Sequence, residues 1–343
     1  MDIKQAIAKV SDRGNLTDAE MRAAMGTIMR GEATPAQIGG FLIALRMKGE
    51  TVEEIAAAAT VMRELSARVT IAAADAVDIV GTGGDGSGTF NISTVAALVV
   101  AAAGGRVAKH GNRAASSPCG SADLLEAAGV NIELTPDQVG VCVDRAGIGF
   151  MFAARHHGAM RHAAAPRREL GVRTILNVLG PLTNPAGVKR HLIGVYAPHL
   201  VENLARVLQR LGSERALIVH AEDGLDEISC AAPTQVAELA AGEVQTYRIS
   251  PEDFGIPTTS LADLRVENVT RSLELIRSVL DNRPGPARDI VLLNAGAALY
   301  VAGQSNSIKT GVQLASDTLA SGAAKKKLDE LAALSQSFEA SKG

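Results

Sequence analysis

Apolar residues recur at three- and four-residue spacing through the first seventy positions, and each run is punctuated at both ends, which predicts four short helices. Ile3, Ile7 and Val10 form the first stripe. Thr17 with Glu20 makes a capping box, in which two side chains satisfy orphan amides of a first helical turn, and Gly31 behind Met29 and Arg30 is the stop. Thr34-Pro35 opens the third helix, and Thr51 with Glu54, after Gly49, opens the fourth. Ile38, Phe41, Leu42 and Leu45 exceed what four short helices can bury among themselves. Either they form a self-association surface or they pack onto the rest of the chain.

From Ala76 the period changes. Short β-branched runs alternate with longer helical stretches, the signature of βαβ units around a largely parallel sheet. The predicted strands are Val77–Val80, Arg106–His110, Val130–Glu133, Ile148–Phe152, Leu192–Tyr196 and Ala216–His220, with two more around Thr234–Leu239 and Val244–Ile249. A long insert, His156–Arg190, separates the fourth and fifth, and inserts of that size often serve a binding site. Beyond Pro251 the pattern is helical again, through Val269–Leu280, a break at RPGP, Asp289–Val301 and a C-terminal Lys/Glu-rich helix. The expected fold is therefore α/β: a small all-helical domain over 1–70, then a larger α/β domain over 71–343 with a mainly parallel central sheet.

Composition narrows the function classes. A formal charge of −3 gives no basic field of the kind that holds a nucleic-acid backbone, and 3% aromatics with no Trp leaves little for base stacking. Cys119, Cys142 and Cys230 stand far apart with no CxxC spacing, which argues against a structural zinc site or a disulfide framework and fits a reducing cytoplasm. The opening MDIKQAIAKVSDRG has no apolar signal core, and the longest apolar run, Val95–Ala103, is about half the ~20 residues a bilayer requires. The chain is expected to be soluble, with neither nucleic acid nor membrane as partner.

Four segments carry chemistry. Gly81-Thr-Gly-Gly-Asp-Gly directly follows the first predicted strand and matches G-x-G-x-x-G, yet a dinucleotide loop passes at once into its helix, whereas Gly81–Ile92 intervenes here. The second strand also ends in Lys109-His110 where an acid for a ribose hydroxyl is needed. What remains is a glycine loop that lets backbone approach a ligand, followed by Asn91-Ile92-Ser93-Thr94 at a helix start suited to an anion. Ser93 and Thr94 can equally serve as ordinary helix caps. Lys109 through Ser121 places two cations, small hydroxyl and amide side chains and two glycines before another helix, the composition of a phosphate cradle. Loops at the carboxyl ends of adjacent parallel strands share one crevice, so the pair implies a ligand with two separated phosphate groups.

The third loop carries Glu222, Asp223, Asp226 and Glu227. Carboxylates opposite phosphates require a hard cation between them, and Mg²⁺ held by one or two carboxylates plus substrate oxygens is the usual solution, with Asp226 and Glu227 the candidates. In the insert, His157 and His162 are five apart, off the spacing that converges on a zinc. One of Arg161, Arg167 or Arg168 can clamp a carboxylate with its planar fork, and composition does not choose among them.

Together, GTGGDGSGTFNIST (81–94), KHGNRAASS (109–117) with GSAD (120–123), RRELGVRTILNVLGPLTNPA (167–186) and DGLDE (223–227) closely resemble the anthranilate phosphoribosyltransferase family, in order and spacing, over nearly the whole chain. The resemblance implies a nucleoside phosphorylase-like phosphoribosyltransferase fold, with helices of the 156–190 insert joining the helical domain, and a homodimer paired through that domain. It implies that Gly81, Gly84, Asp85, Thr89, Asn91, Ile92, Ser93 and Thr94 bind phosphoribosyl pyrophosphate together with Lys109, His110, Gly111, Asn112, Arg113, Ala114, Ala115, Ser116, Ser117 and Ser121. It further implies that Gly81, Asn112, His157 and Arg167 meet anthranilate, and that Ser93, Asp226 and Glu227 hold magnesium, Glu227 shared between two ions. The implied activity is transfer of the phosphoribosyl group to the anthranilate amine, the second step of tryptophan synthesis from chorismate, with no residue assigned as acid or base. Pro118, Cys119 and Gly158 depart from the commonest family pattern. Two rivals share the fold: a pyrimidine nucleoside phosphorylase, which lacks the KHGNR and GPLTNPA strings, and nucleic-acid-binding relatives, expected to be more basic and to lose the Asp-Glu pair.

Overall fold

A computed structural model of the chain describes residues 1–114 and 118–340, apart from the side chains of 339 and 340. The helical amino-terminal part consists of α1 (Ile3–Ser11), α2 (Asp18–Met29), α3 (Pro35–Lys48) and α4 (Val52–Glu64). Capping boxes start all four, and those of α2 and α4 are the predicted Thr17–Glu20 and Thr51–Glu54 pairs. Glu54 is fully buried; it bonds Lys48 Nζ at 2.8 Å and the Leu16 amide at 2.8 Å, so its charge is compensated. Ile38, Phe41, Leu42 and Leu45 are all at most 2% exposed, packed within this chain where α3 meets α1 and the insert, so they form no free self-association surface.

The α/β part follows as β1 (Val77–Gly81), α5 (Ile92–Ala102), β2 (Val107–Gly111), α6 (Ser121–Ala127), α7 (Pro136–Ala146) and β3 (Ile148–Phe152). The insert holds α8 (Ala153–His156), α9 (Arg161–Leu170) and α10 (Leu176–Leu182). Then come β4 (Arg190–Gly194), α11 (Leu200–Arg210), β5 (Arg215–Ala221), β6 (Thr234–Ala240) and β7 (Glu243–Ile249). Four helices close the chain: α12 (Val269–Leu280), α13 (Pro286–Ala302), α14 (Ile308–Ala320) and α15 (Ala323–Ala340). The seven strands lie in the order β3-β2-β1-β4-β5-β6-β7, parallel through β5 and antiparallel for the β6–β7 hairpin. Ala241 and Gly242 both adopt positive φ in the hairpin turn, the geometry that matches the twist of two antiparallel strands.

Two expectations fail locally. Val130–Glu133 forms no strand, although Val130, Ile132 and Leu134 alternate inward at 3–4% exposure. The Val130 amide donates to the Leu125 carbonyl, and the Asn131 and Glu133 amides donate to Ser335 Oγ and Asn131 Oδ1, so the alternation records packing of an extended connector and not a ladder. The pattern after Asp289 also hides an extra helix, α14, which Ser307 caps and Gly322 follows.

Strand order reverses beside β1: β2 and β3 lie on one side, β4 and β5 on the other. The crevice at the carboxyl ends of strands around such a switch point is the usual ligand site of open α/β sheets. One core underlies β1–β3 with α5, α7 and α13; a second joins α1–α4 to Ala163 and Ile175–Leu182 of the insert and to α11.

Candidate active site

The glycine-rich loop leaves β1 with Gly83, Gly84, Gly86 and Gly88 all at positive φ, a path closed to most side chains. Gly81 and Gly194 act differently: a Cβ on either would strike Asp226, so their bareness lets the acidic loop after β5 close against the ends of β1 and β4. Asp226 Oδ2 then accepts the Gly83 amide at 2.7 Å, and Glu227 Oε1 accepts the Ser93 amide at 3.1 Å. From behind, Asn294 on α13 grips Ile228 by both its N–H and its carbonyl, each at 2.9 Å, which fixes the backbone next to Glu227.

Asp85 lies in the same knot, accepting the Ser87 amide at 3.1 Å and the Asp226 amide at 3.4 Å. Burial pushes the Asp226 carboxyl above its ordinary range and the charge of Asp85 adds to this; burial and then Asp226 raise Glu227. Beneath them Lys109, 2% exposed, donates to the Ile79 carbonyl at 2.5 Å and to Ser93 Oγ at 3.3 Å. Burial lowers its ammonium, opposed by Asp78 and Glu227.

The N-cap of α5 is Asn91, without a side-chain cap bond; its amide group instead ties Cys119 and Ser272 together, and Ser93 and Thr94 lie inside the first turn. Ser93 and Thr94 are therefore not the caps. Thr94 Oγ1 is buried without a hydrogen-bond partner among the described residues, and the Ile92 side chain belongs to the core, leaving only its backbone for a ligand. Thr89 joins a single bridge to Arg265, and Arg173 reaches from the insert to the Gly84 carbonyl while stacking 4.2 Å over Tyr196. Nothing in the spacing of the sequence singled out Arg173 or Asn294, because both act on loops distant in the chain.

In the second loop a Cβ on Gly111 would meet Ser121, whose hydroxyl donates to the Asn112 carbonyl at 3.3 Å. Arg113 turns to α6, binding Asp123 at 2.9 Å and Glu126 at 2.8 Å, and the Ala114 amide binds Asp123 as well. Ala115, Ser116 and Ser117 lie outside the described residues. His110 and His157 are both buried, with ring centroids 5.0 Å apart, and the Nε2 of each has no partner among the described residues. Burial pushes both imidazoles down, His157 to about 4, so both are neutral at pH 7.

Of the three arginines left open, Arg161 and Arg168 are exposed, whereas Arg167 is half-buried, its guanidinium lowered by burial. Its side chain has no ion pair or hydrogen bond among the described residues. Cys119 is buried with its thiol pushed up to about 11, which makes it a poor nucleophile. Among the described residues no three His, Cys, Asp or Glu side chains cluster closely enough to hold a metal alone. Two desolvated carboxylates and a serine hydroxyl are hard oxygen donors that fit Mg²⁺ completed by ligand oxygens.

Residues 73–325 match the α/β domain and residues 4–66 the helical bundle domain of a glycosyl transferase family. The anthranilate phosphoribosyltransferase of Thioalkalivibrio sulfidiphilus is 60% identical over 98% of this chain and all of its own; that of Methylococcus capsulatus is 59% identical over 99% and 100%. The crystal structure of the Thermus thermophilus enzyme of the same name superposes with a TM-score of 0.92 at 44% identity, covering 96% of this chain and 99% of that one. The Saccharomyces cerevisiae enzyme in complex with phosphoribosyl pyrophosphate and Mg reaches 0.89 at 27% identity, covering 98% of each. The chain belongs to this glycosyl transferase family, in its anthranilate phosphoribosyltransferase branch.

Proposed function

We propose that the chain transfers the phosphoribosyl group of phosphoribosyl pyrophosphate to the amine of anthranilate, releasing pyrophosphate, as a step of tryptophan biosynthesis. The observation that carries this reading is the meeting of three loops at the switch point, with Glu227 on the Ser93 amide, Asp226 on the Gly83 amide and Lys109 beneath. The glycine loop and the start of α5 offer backbone amides to one phosphate group, and Lys109, Asn112 and Ser121 face the other. Asp226, Glu227 and Ser93 would hold magnesium, with two ions as the resemblance implies. When bound, it neutralises charge on the departing pyrophosphate.

The chain's own residues do the rest by placement. Arg167, partly desolvated and without a partner among the described residues, fits the anthranilate carboxylate, and Asn112 and the neutral His157 flank the ring. In that pose the amine nitrogen faces C1 of the ribose; the N–C1 bond forms as the C1–O bond to pyrophosphate breaks, the electron pair leaves with pyrophosphate, and the extra amine proton passes to solvent. An aryl amine is neutral at pH 7, so no strong base is required, and holding two reactants in line supplies much of the acceleration. The homodimer through the helical domain rests on the resemblance alone, and sedimentation tests it. The reading as a whole is tested by pyrophosphate release from phosphoribosyl pyrophosphate and Mg²⁺ with anthranilate, uracil or thymine as acceptor. Release confined to anthranilate supports it; release with a pyrimidine base would replace it.

A further inference from the structure

The ladder between β1 and β2 stops early. β1 pairs β4, and β2 pairs β3, through five positions each, whereas β1 meets β2 in register only at Val77 and Val107. Where the next rungs belong, side chains take the backbone groups. The His110 amide donates to Asp78 Oδ1 at 3.0 Å, and the Lys109 ammonium donates to the Ile79 carbonyl. Asn184 Nδ2 donates both to the Ala108 carbonyl at 2.9 Å and to Asp78 Oδ2 at 2.7 Å. Asp78 is fully buried and Asn184 is 3% exposed. Burying a carboxylate is expensive, and these bonds satisfy it.

With these side chains in place of backbone rungs, the separation of β1 and β2 beyond Val77 and Val107 is set by the carboxylate and the amide between them. The strands concerned are those whose carboxyl ends carry the two phosphate-facing loops. We infer that Asp78 and Asn184 are positioning residues that set the spacing between the glycine-rich loop after β1 and Lys109 with the loop after β2, and through it the fit of phosphoribosyl pyrophosphate. The inference rests on the function proposed above. Asn184 also ties this spacing to the insert: its Oδ1 accepts the Ala186 amide at 2.9 Å, which anchors the turn that follows α10.

The pair is specific in its chemistry. In Asp78→Asn one acceptor oxygen becomes an N–H donor facing either the His110 amide or the Asn184 amide, so two donors collide where one bond was. Asn184→Ala leaves Asp78 Oδ2 and the Ala108 carbonyl unpaired. Leu208→Ala is the control: Leu208 is fully buried at the end of α11, before β5 and away from the carboxyl ends of the strands, so it loosens the core without touching either loop.

The test compares the dissociation constant of phosphoribosyl pyrophosphate with Mg²⁺, by calorimetry, and KM and kcat, for wild type and the three variants at matched folded fraction. Asp78→Asn and Asn184→Ala should weaken binding and raise KM for phosphoribosyl pyrophosphate at least tenfold, while Leu208→Ala stays within twofold of wild type. Should Asp78→Asn fail to fold, Asn184→Ala decides. Both constants within twofold of wild type, with activity following the folded fraction, would overturn the inference alone. A wild type that does not bind phosphoribosyl pyrophosphate would remove the proposed function, and this inference with it.

Discussion

Replacing Arg167 by alanine isolates one contact of the proposed reaction. The guanidinium is half-buried, burial lowers it, and its side chain makes no bond among the described residues, so its removal strands no partner. Stability should change by less than about 0.5 kcal/mol. Binding is another matter, because an anthranilate carboxylate would then enter a partly desolvated site with no countercharge. Truncating one member of a buried charge pair costs about 2–5 kcal/mol, and partial solvent access puts this site at the lower end, about 2–3 kcal/mol. At about 1.4 kcal/mol per decade, the KM for anthranilate should rise roughly 30- to 150-fold. Because the carboxylate is bound alike in the ground and transition states, kcat should fall far less. Arg167→Lys should recover part of the loss, since a point charge replaces a fork. The exposed Arg168→Ala should sit near wild type. Initial rates from the fall in anthranilate fluorescence, with phosphoribosyl pyrophosphate saturating, measure all three; an Arg167→Ala variant with unchanged KM would refute the assignment.

Two further outcomes follow from the acidic loop. Burial raises the carboxyl pKa of Asp226 and Glu227 in the folded chain, so the folded state holds protons that the unfolded state has released. Their favourable contribution is complete below the unfolded carboxyl pKa of about 4 and is lost as pH rises through the raised values. Mg²⁺ binds the ionised pair, so it should raise the melting temperature more at pH 8 than at pH 6, and Asp226→Asn with Glu227→Gln should abolish that difference; equal shifts at both pH values would exclude the pair as the cation site. Gly194→Ala would drive a methyl into the Asp226 backbone carbonyl, costing about 1–3 kcal/mol in a urea titration and weakening the Mg²⁺ response, and an unchanged midpoint would show that the loop yields freely.

Local chemistry was readable along the chain because its partners are close in sequence. Thr17–Glu20 and Thr51–Glu54 are three residues apart, and the parallel strands are short apolar runs buried on both faces, so elements and their order followed from pattern. Val130–Glu133 misled for the same reason: inward alternation reports packing, and a ladder also needs a neighbouring strand, which Ser335 on α15 replaces here. Site residues with side-chain chemistry, such as Asp226 and Glu227, stood out by composition. Those acting through long-range contacts did not. Asp78 and Asn184 are 106 positions apart, and Asn294 reaches Ile228 across 66, so neither pairing leaves a mark on any local window. Ile38, Phe41, Leu42 and Leu45 looked like surplus surface only because the insert helices that join in covering them lie more than a hundred residues downstream.

The central claim is tested most directly by mixing the purified chain with anthranilate, phosphoribosyl pyrophosphate and Mg²⁺ and following anthranilate fluorescence, which a protein without tryptophan scarcely obscures. The fluorescence should decay only with all three components present and hold steady when any one is withheld. A folded protein that binds phosphoribosyl pyrophosphate and leaves the fluorescence unchanged would contradict it.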